Sequence, residues 1–182
     1  MKIKTTSIEG LFVLEPHIFK DERGYFYETY QFLKFKDMGI SDVFVQDNQS
    51  ASVKGTLRGL HFQKPAFDQS KLVRVVRGKV LDVAVDIRKG SPTYGKYEMV
   101  ELSAENHFQF YIPSGFAHGF LALEDDTIFT YKCSNYYDKA SEGGLLWSDP
   151  TIAIDWNYSN PLVSAKDQIL PVLSEFDSPF AY

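Results

Sequence analysis

The 182-residue chain has one cysteine, Cys133, which excludes an internal disulfide framework and any cysteine-based metal cluster. It lacks a basic excess: 19 Lys and Arg stand against 24 Asp and Glu, a formal net charge of −5. That argues against a nucleic-acid-binding domain but leaves room for a local basic pocket. No stretch approaches the ~18 consecutive apolar residues of a membrane-spanning helix. The first residues, Met1-Lys2-Ile3-Lys4-Thr5-Thr6, lack the apolar run of a signal peptide, so the expected location is the cytoplasm. Internal repeats, low-complexity tracts and linkers are missing too, and the length fits one domain over residues 1–182. With 44 % apolar and 24 % charged residues, the composition excludes disorder and a collagen-like fibre.

Helical signal is also scarce. Thr29 to Met38, ended by Gly39, reads as one short helix, and Pro161 to Ile169 as another. What the chain does have is aromatics, 15 % of residues, which favour pleated sheets and make walls for flat ligands. Short alternating runs dominate: Val43–Gln46, Leu57–Gln63, Lys71–Arg77, Val80–Ile87, Met99–Leu102, Phe108–Pro113, Phe120–Leu123 and Thr127–Cys133. In the fourth, Leu81, Val83, Val85 and Ile87 share one face and Asp82, Ala84 and Asp86 the other. Such strands, spaced by roughly ten residues, predict an all-β sandwich or barrel, whose inward-facing residues line room for one small ligand.

Polar residues where a strand should be apolar mark the candidate interior. They are Asp21-Glu22-Arg23-Gly24 with Glu28, Gln46-Asp47-Asn48, Arg58 to Gln63, Lys71, His118 and Tyr131. A mid-strand histidine such as His61 has a plain reading as a satisfied core residue. Two cations, Arg58 and Lys71, nearby are harder to explain without anions. Strict alternation sets Arg58 and His61 on opposite faces; a bulge at Gly59 brings both inward. Asp82 and Asp86 have a plain reading as cross-strand partners of Lys71, Arg74 or Arg88. Taken alone, Asp167 reads as a helix-surface carboxylate and His118 as the end of a hairpin, while Tyr136 and Tyr137 read equally as packing residues or ligand walls.

Pro113-x-Gly115-x-x-His118 is similar to the second motif of the cupin β-barrels. The first motif is incomplete here, because His61-Phe62-Gln63 has glutamine where metal-binding cupins have a second histidine. In order along the chain, eight segments resemble the dTDP-4-dehydrorhamnose 3,5-epimerase family of the cupin superfamily. They are Asp21-x-Arg23-Gly24-x-Phe26-x-Glu28, Gln46-Asp47-Asn48, Leu57 to Gln63, Lys71 to Val75, Ile112 to Phe120, Tyr131 to Tyr137, Trp147-Ser148-Asp149-Pro150 and Ser164-Ala165-Lys166-Asp167. The resemblance runs from about residue 3 to residue 175. It implies a mainly β, cupin-type jelly roll with a few short helices, especially near the C-terminus. It also implies a homodimer acting on a dTDP-4-keto-6-deoxyhexose, with no cofactor, metal, nucleic acid or membrane partner.

By the same resemblance His61 is a catalytic base backed by Asp167, and Tyr131 is the acid on the opposite face. Lys71 and Arg58 steady a developing enolate oxygen, a kind of preorganised charge worth roughly 2.7–4 kcal/mol per donor. Arg23 and Glu28 reach the nucleotide from the partner subunit, Gln46 and Asn48 contact thymidine, and Tyr137 stacks on the base. His118, Glu142 and Lys166 match further ligand-binding positions. The alternatives are an epimerase acting at C3 or C5 only, a metal-dependent cupin oxygenase using His61, Gln63 and His118, and a barrel that binds the sugar nucleotide without chemistry.

Overall fold

The computed structural model describes all 182 residues and is built mainly from β-strands. One sheet has the order β1 (Lys2–Thr5), β2 (Phe12–Glu15), β10 (Gln109–Ile112), β7 (Lys71–Arg77), β12 (Thr127–Cys133) and β5 (Gln46–Ser52). The facing sheet runs β13 (Glu142–Gly144), β6 (Thr56–Gln63), β11 (Phe116–Ala122), β8 (Lys79–Asp86) and β9 (Tyr97–Ser103). The short β14 (Leu162–Val163) pairs parallel to β6, and β3 (Phe19–Asp21) forms a separate hairpin with β4 (Gly24–Phe26). No helix is long and apolar enough to cross a membrane.

Alternation decides which side chains each layer receives. Leu81, Val83 and Val85 of β8 point away from the first sheet, into a cluster with Leu57, Leu121, Trp156, Leu173 and Phe180 that the C-terminal segment covers. Val80 and Ala84 point the other way and meet Val73, Val75, Phe110, Phe120 and Phe129 between the sheets. Leu14, Leu72 and Tyr111 on the outer face of the first sheet pack against Phe35 of helix α1 (Phe32–Asp37). Each large side chain so buried contributes about 1.5–3 kcal/mol. At one end of the sandwich, polar residues replace this apolar filling and the sheets enclose a cavity of about 910 Å³.

Strands Lys71–Arg77 and Thr127–Cys133 form where the sequence predicts them, and Gly78, with φ +79°, makes the turn between β7 and β8. The expected helix at Thr29–Met38 is the shorter α1, capped by the Gln31 side chain on the Lys34 N–H and followed by Gly39 at φ +93°. Two expectations need correction. The strand placed at Val43–Gln46 begins at Gln46 instead: Val43 and Val45 are exposed, the register with β12 starts at Gln46, and Val45 adds only its N–H to the Cys133 carbonyl at 2.9 Å. The helix placed at Pro161–Ile169 is β14 followed by a 3₁₀ turn, Asp167–Ile169, because Leu162 and Val163 take up open edge positions beside Thr56 and Leu57. Tertiary pairing overrides the local helical spacing there.

Candidate active site

The register of β6 shapes the cavity. His118 of β11 lies opposite His61, yet Phe120 lies opposite Arg58, so three steps along β6 match two along β11. That bulge centres on Gly59, whose φ is +139°. A Cβ there would stand 2.5 Å from the Gly119 Cα and 3.0 Å from the His118 carbonyl oxygen, so no other residue fits. As the sequence predicts, Arg58 and His61 both reach the cavity.

The His61 Nε2 is 2.7 Å from the Asp167 Oδ1. Asp167 is buried rather than a helix-surface carboxylate. Its other oxygen faces the Gly59 N–H at 3.5 Å, and its own N–H donates to the Ser164 hydroxyl at 3.1 Å. Burial alone would raise its pKa, but the hydrogen bonds and the charge of His61 outweigh that and hold the carboxyl below the usual range.

The opposite wall comes from β5, β7 and β12, where Tyr131 lies beside Asn48 and Lys71 beside Cys133. Burial pushes the Tyr131 phenol up against the opposing effect of Arg58. The Lys71 ammonium is lowered by its burial, and its Nζ reaches the His61 carbonyl at 3.4 Å. His118 is in the body of β11, not at a hairpin end, and its Nε2 is 3.0 Å from each oxygen of the fully buried Asp82. Asp82 therefore pairs with a histidine instead of the cations expected, whereas Asp86 pairs with Arg88 at 2.7 Å, two residues on rather than across strands.

At the mouth, Glu142 accepts hydrogen bonds from Lys166 and from the Tyr137 hydroxyl, and the Tyr137 N–H donates to the Gln46 side chain. Gln46, Asn48, Arg58, His61, Lys71, His118, Tyr131, Tyr137, Glu142, Lys166 and Asp167 thus line one cavity. Arg23 and Glu28 do not: Arg23 is exposed on the β3–β4 hairpin against Asp21, and Glu28 pairs with Lys34. Sequence reasoning missed Ser50 and Ser52, which also line the cavity. Counting alternate positions from Gln46 would have found them. No three His, Cys, Asp or Glu side chains converge, and the Gln63 side-chain oxygen takes the Asp138 N–H.

An imidazole held by a carboxylate, facing a phenol and an ammonium, suits proton transfer at a carbon beside a carbonyl. In a cavity between two β-sheets it marks an isomerase that works by proton transfer. A family profile described as dTDP-4-dehydrorhamnose 3,5-epimerase matches residues 5–175. The chain is 52 % identical over 168 residues to the dTDP-4-dehydrorhamnose 3,5-epimerase of Shigella flexneri, covering 92 % of this chain and 93 % of that one. It is 50 % identical over 177 residues to that of Salmonella typhimurium, covering 96 % and 97 %. A crystal structure of dTDP-6-deoxy-D-glucose-3,5-epimerase from Legionella pneumophila, in complex with dTDP-4-keto-L-rhamnose, superposes with a TM-score of 0.93 at 49 % identity, covering 97 % and 94 %. The chain belongs to the dTDP-4-dehydrorhamnose 3,5-epimerase family and is an enzyme of that activity.

Proposed function

We propose that the enzyme inverts C3 and C5 of dTDP-4-dehydro-6-deoxyglucose with His61 as the base and Tyr131 as the acid, supplying dTDP-L-rhamnose synthesis. The observation that carries the reading is the His61–Asp167 pair, 2.7 Å apart, in the same cavity as Tyr131. With Nε2 engaged by the carboxylate, Nδ1 keeps its lone pair and takes the hydrogen from a carbon next to the ketone. Asp167 fixes that tautomer and stabilises the imidazolium that forms. The electron pair moves to the C4 oxygen, where Lys71 and Arg58 meet the negative charge. Tyr131, whose raised pKa keeps the phenol protonated at neutral pH, returns a proton to the opposite face.

The polar mouth serves the nucleotide. Gln46 and Asn48 take the thymine, Tyr137 stacks on it, and Lys166 exchanges Glu142 for the diphosphate, with His118 against the sugar. Arg23 and Glu28, outside the cavity of their own chain, reach the nucleotide in a second copy, which makes the working form a homodimer. Incubation with the 4-keto sugar nucleotide in deuterated water, followed by NMR, tests the chemistry. Label at both C3 and C5 is expected. Label at one carbon alone would give way to the single-centre reading, and nucleotide binding with no label to a non-catalytic barrel.

A further inference from the structure

Asp82 is a fully buried carboxylate that the chemistry above does not use. It follows Val80 and precedes Ala84 on the inward face of β8, next to Phe120 of β11. It lies behind His118, outside the cavity wall. An anion in so dry a place is costly unless a donor or cation answers it. One answer is the His118 Nε2–H, equidistant from both of its oxygens at 3.0 Å. The other is Lys71, whose charge acts on it from the cavity side, where its Nζ is 3.4 Å from the carbonyl of His61, the residue opposite His118 in the sheet.

Lys71 is also the cavity cation that lacks a side-chain partner. Arg58 donates to the Ala51 carbonyl and the Ser52 hydroxyl, and Lys166 is paired with Glu142, but Lys71 has no carboxylate at ion-pair distance. We propose that Asp82 is a positioning residue, one buried negative charge shared by His118 and Lys71, which sets the tautomer of the first and keeps the second an ammonium where the enolate oxygen forms. The inference rests on the role given to Lys71 under Proposed function.

The titratable and charged groups around this pair come from every packed element. They are His61 and Arg58 on β6, Lys71 on β7, His118 on β11, Tyr131 and Cys133 on β12, Glu142 on β13, and Lys166 and Asp167 at the 3₁₀ turn. Burial pushes the Tyr131 phenol, the Cys133 thiol and the Asp82 carboxyl up and the Lys71 ammonium and His118 imidazole down; Cys133, then Asp82 and Glu142, oppose the fall at Lys71, and His118 and Lys71 oppose the rise at Asp82. On this proposal, loss of the Lys71 proton sets the alkaline limb of kcat.

Asp82→Asn keeps one oxygen for the His118 Nε2–H, turns the other, also 3.0 Å away, into an amide donor, and removes the charge. The expected result is an alkaline limb moved acidward by roughly one pH unit, with dTDP affinity unchanged within about twofold because Asp82 touches no ligand. Asp82→Glu keeps the charge and leaves the limb where the wild type has it, even as kcat falls through a displaced His118. A merely structural role would lower the melting temperature and scale kcat equally at all pH values. An unmoved limb in a folded Asp82→Asn variant overturns the proposal. So does a wild-type measurement that needs no variant: acetylation of Lys71 read by mass spectrometry, where a freely reactive amine at neutral pH contradicts an ammonium held by Asp82. Wild-type deuterium wash-in, run in parallel, separates the two failures. Normal wash-in with an unmoved limb removes only the role of Asp82, whereas no wash-in removes the catalytic reading itself.

Discussion

His61 and Asp167 are 106 positions apart in sequence, and one hydrogen bond of 2.7 Å joins them. Replacing His61 by Asn removes the group proposed to take the carbon-bound hydrogen. Solvent exchange at C3 and C5 is expected to fall by roughly 10²–10⁴-fold, while dTDP binding, measured by calorimetry, stays close to wild type. Asp167→Asn leaves the imidazole in place but donates where the carboxylate accepts, so a fall of similar size is expected with KM little changed. The same carboxylate makes stability depend on pH. Its folded pKa lies below the unfolded value, so its contribution is complete above about pH 4 and is lost as the pH falls through the folded pKa. Urea titrations of wild type and Asp167→Asn should therefore converge as the solution is acidified. A gap that widened toward low pH would mean that the folded carboxyl binds its proton more tightly than the unfolded one.

At the scale of single elements, one feature of the second sheet shapes the site and another holds the end of β8, and each has its own test. The β6 bulge depends on a glycine: Gly59→Ala forces a Cβ against the Gly119 backbone at a φ of +139°, and a loss of about 3 kcal/mol in denaturant unfolding is expected together with loss of activity. At the end of β8, the Asp86 carboxylate takes hydrogen bonds from Arg88, Ser91 and Thr93. Asp86→Ala leaves Arg88 half-buried without its anion and is expected to cost about 3 kcal/mol, with wash-in intact in the folded fraction because none of these groups lines the cavity. The sequence makes β7, β8 and β12 legible because their outward and inward residues differ in polarity. It hides β5, where Gln46, Asn48 and Ser50 face the cavity and Asp47 and Gln49 face outward, so both sides are polar and period-2 hydrophobicity is silent. It also hides β14, whose two residues become a strand only by adding to β6. The cavity residues are legible as a set because polar side chains interrupt apolar strands. That His61 meets Asp167, and His118 meets Asp82, follows from register and topology, which no local pattern encodes.

The whole molecule leaves one part of its predicted site unconnected. Arg23 is on a hairpin that projects from the sandwich, together with Phe19, Tyr25 and Phe26, all of them exposed. Aromatic side chains gathered on a protruding hairpin are the kind of surface that a partner covers. If the partner is a second copy with two-fold symmetry, the hairpin of each chain completes the cavity of the other. Mixing two defective variants decides this. In a mixed dimer of Arg23→Ala and His61→Ala chains, exchanged hairpins give one cavity an intact His61 and a partner's intact Arg23, while the other cavity carries both defects. Unfolding and refolding the variants together at equal amounts should then restore about a quarter of the wild-type activity per site, the share that random pairing predicts. The assay belongs at a substrate concentration where Arg23→Ala alone is nearly silent. Were Arg23 to serve its own chain, no pairing would create an intact cavity, and the mixture would show only the average of its parents. Size-exclusion chromatography of the mixture shows whether dimers re-formed, so a failure to restore activity in a dimeric sample counts against exchange of the hairpin and not against refolding.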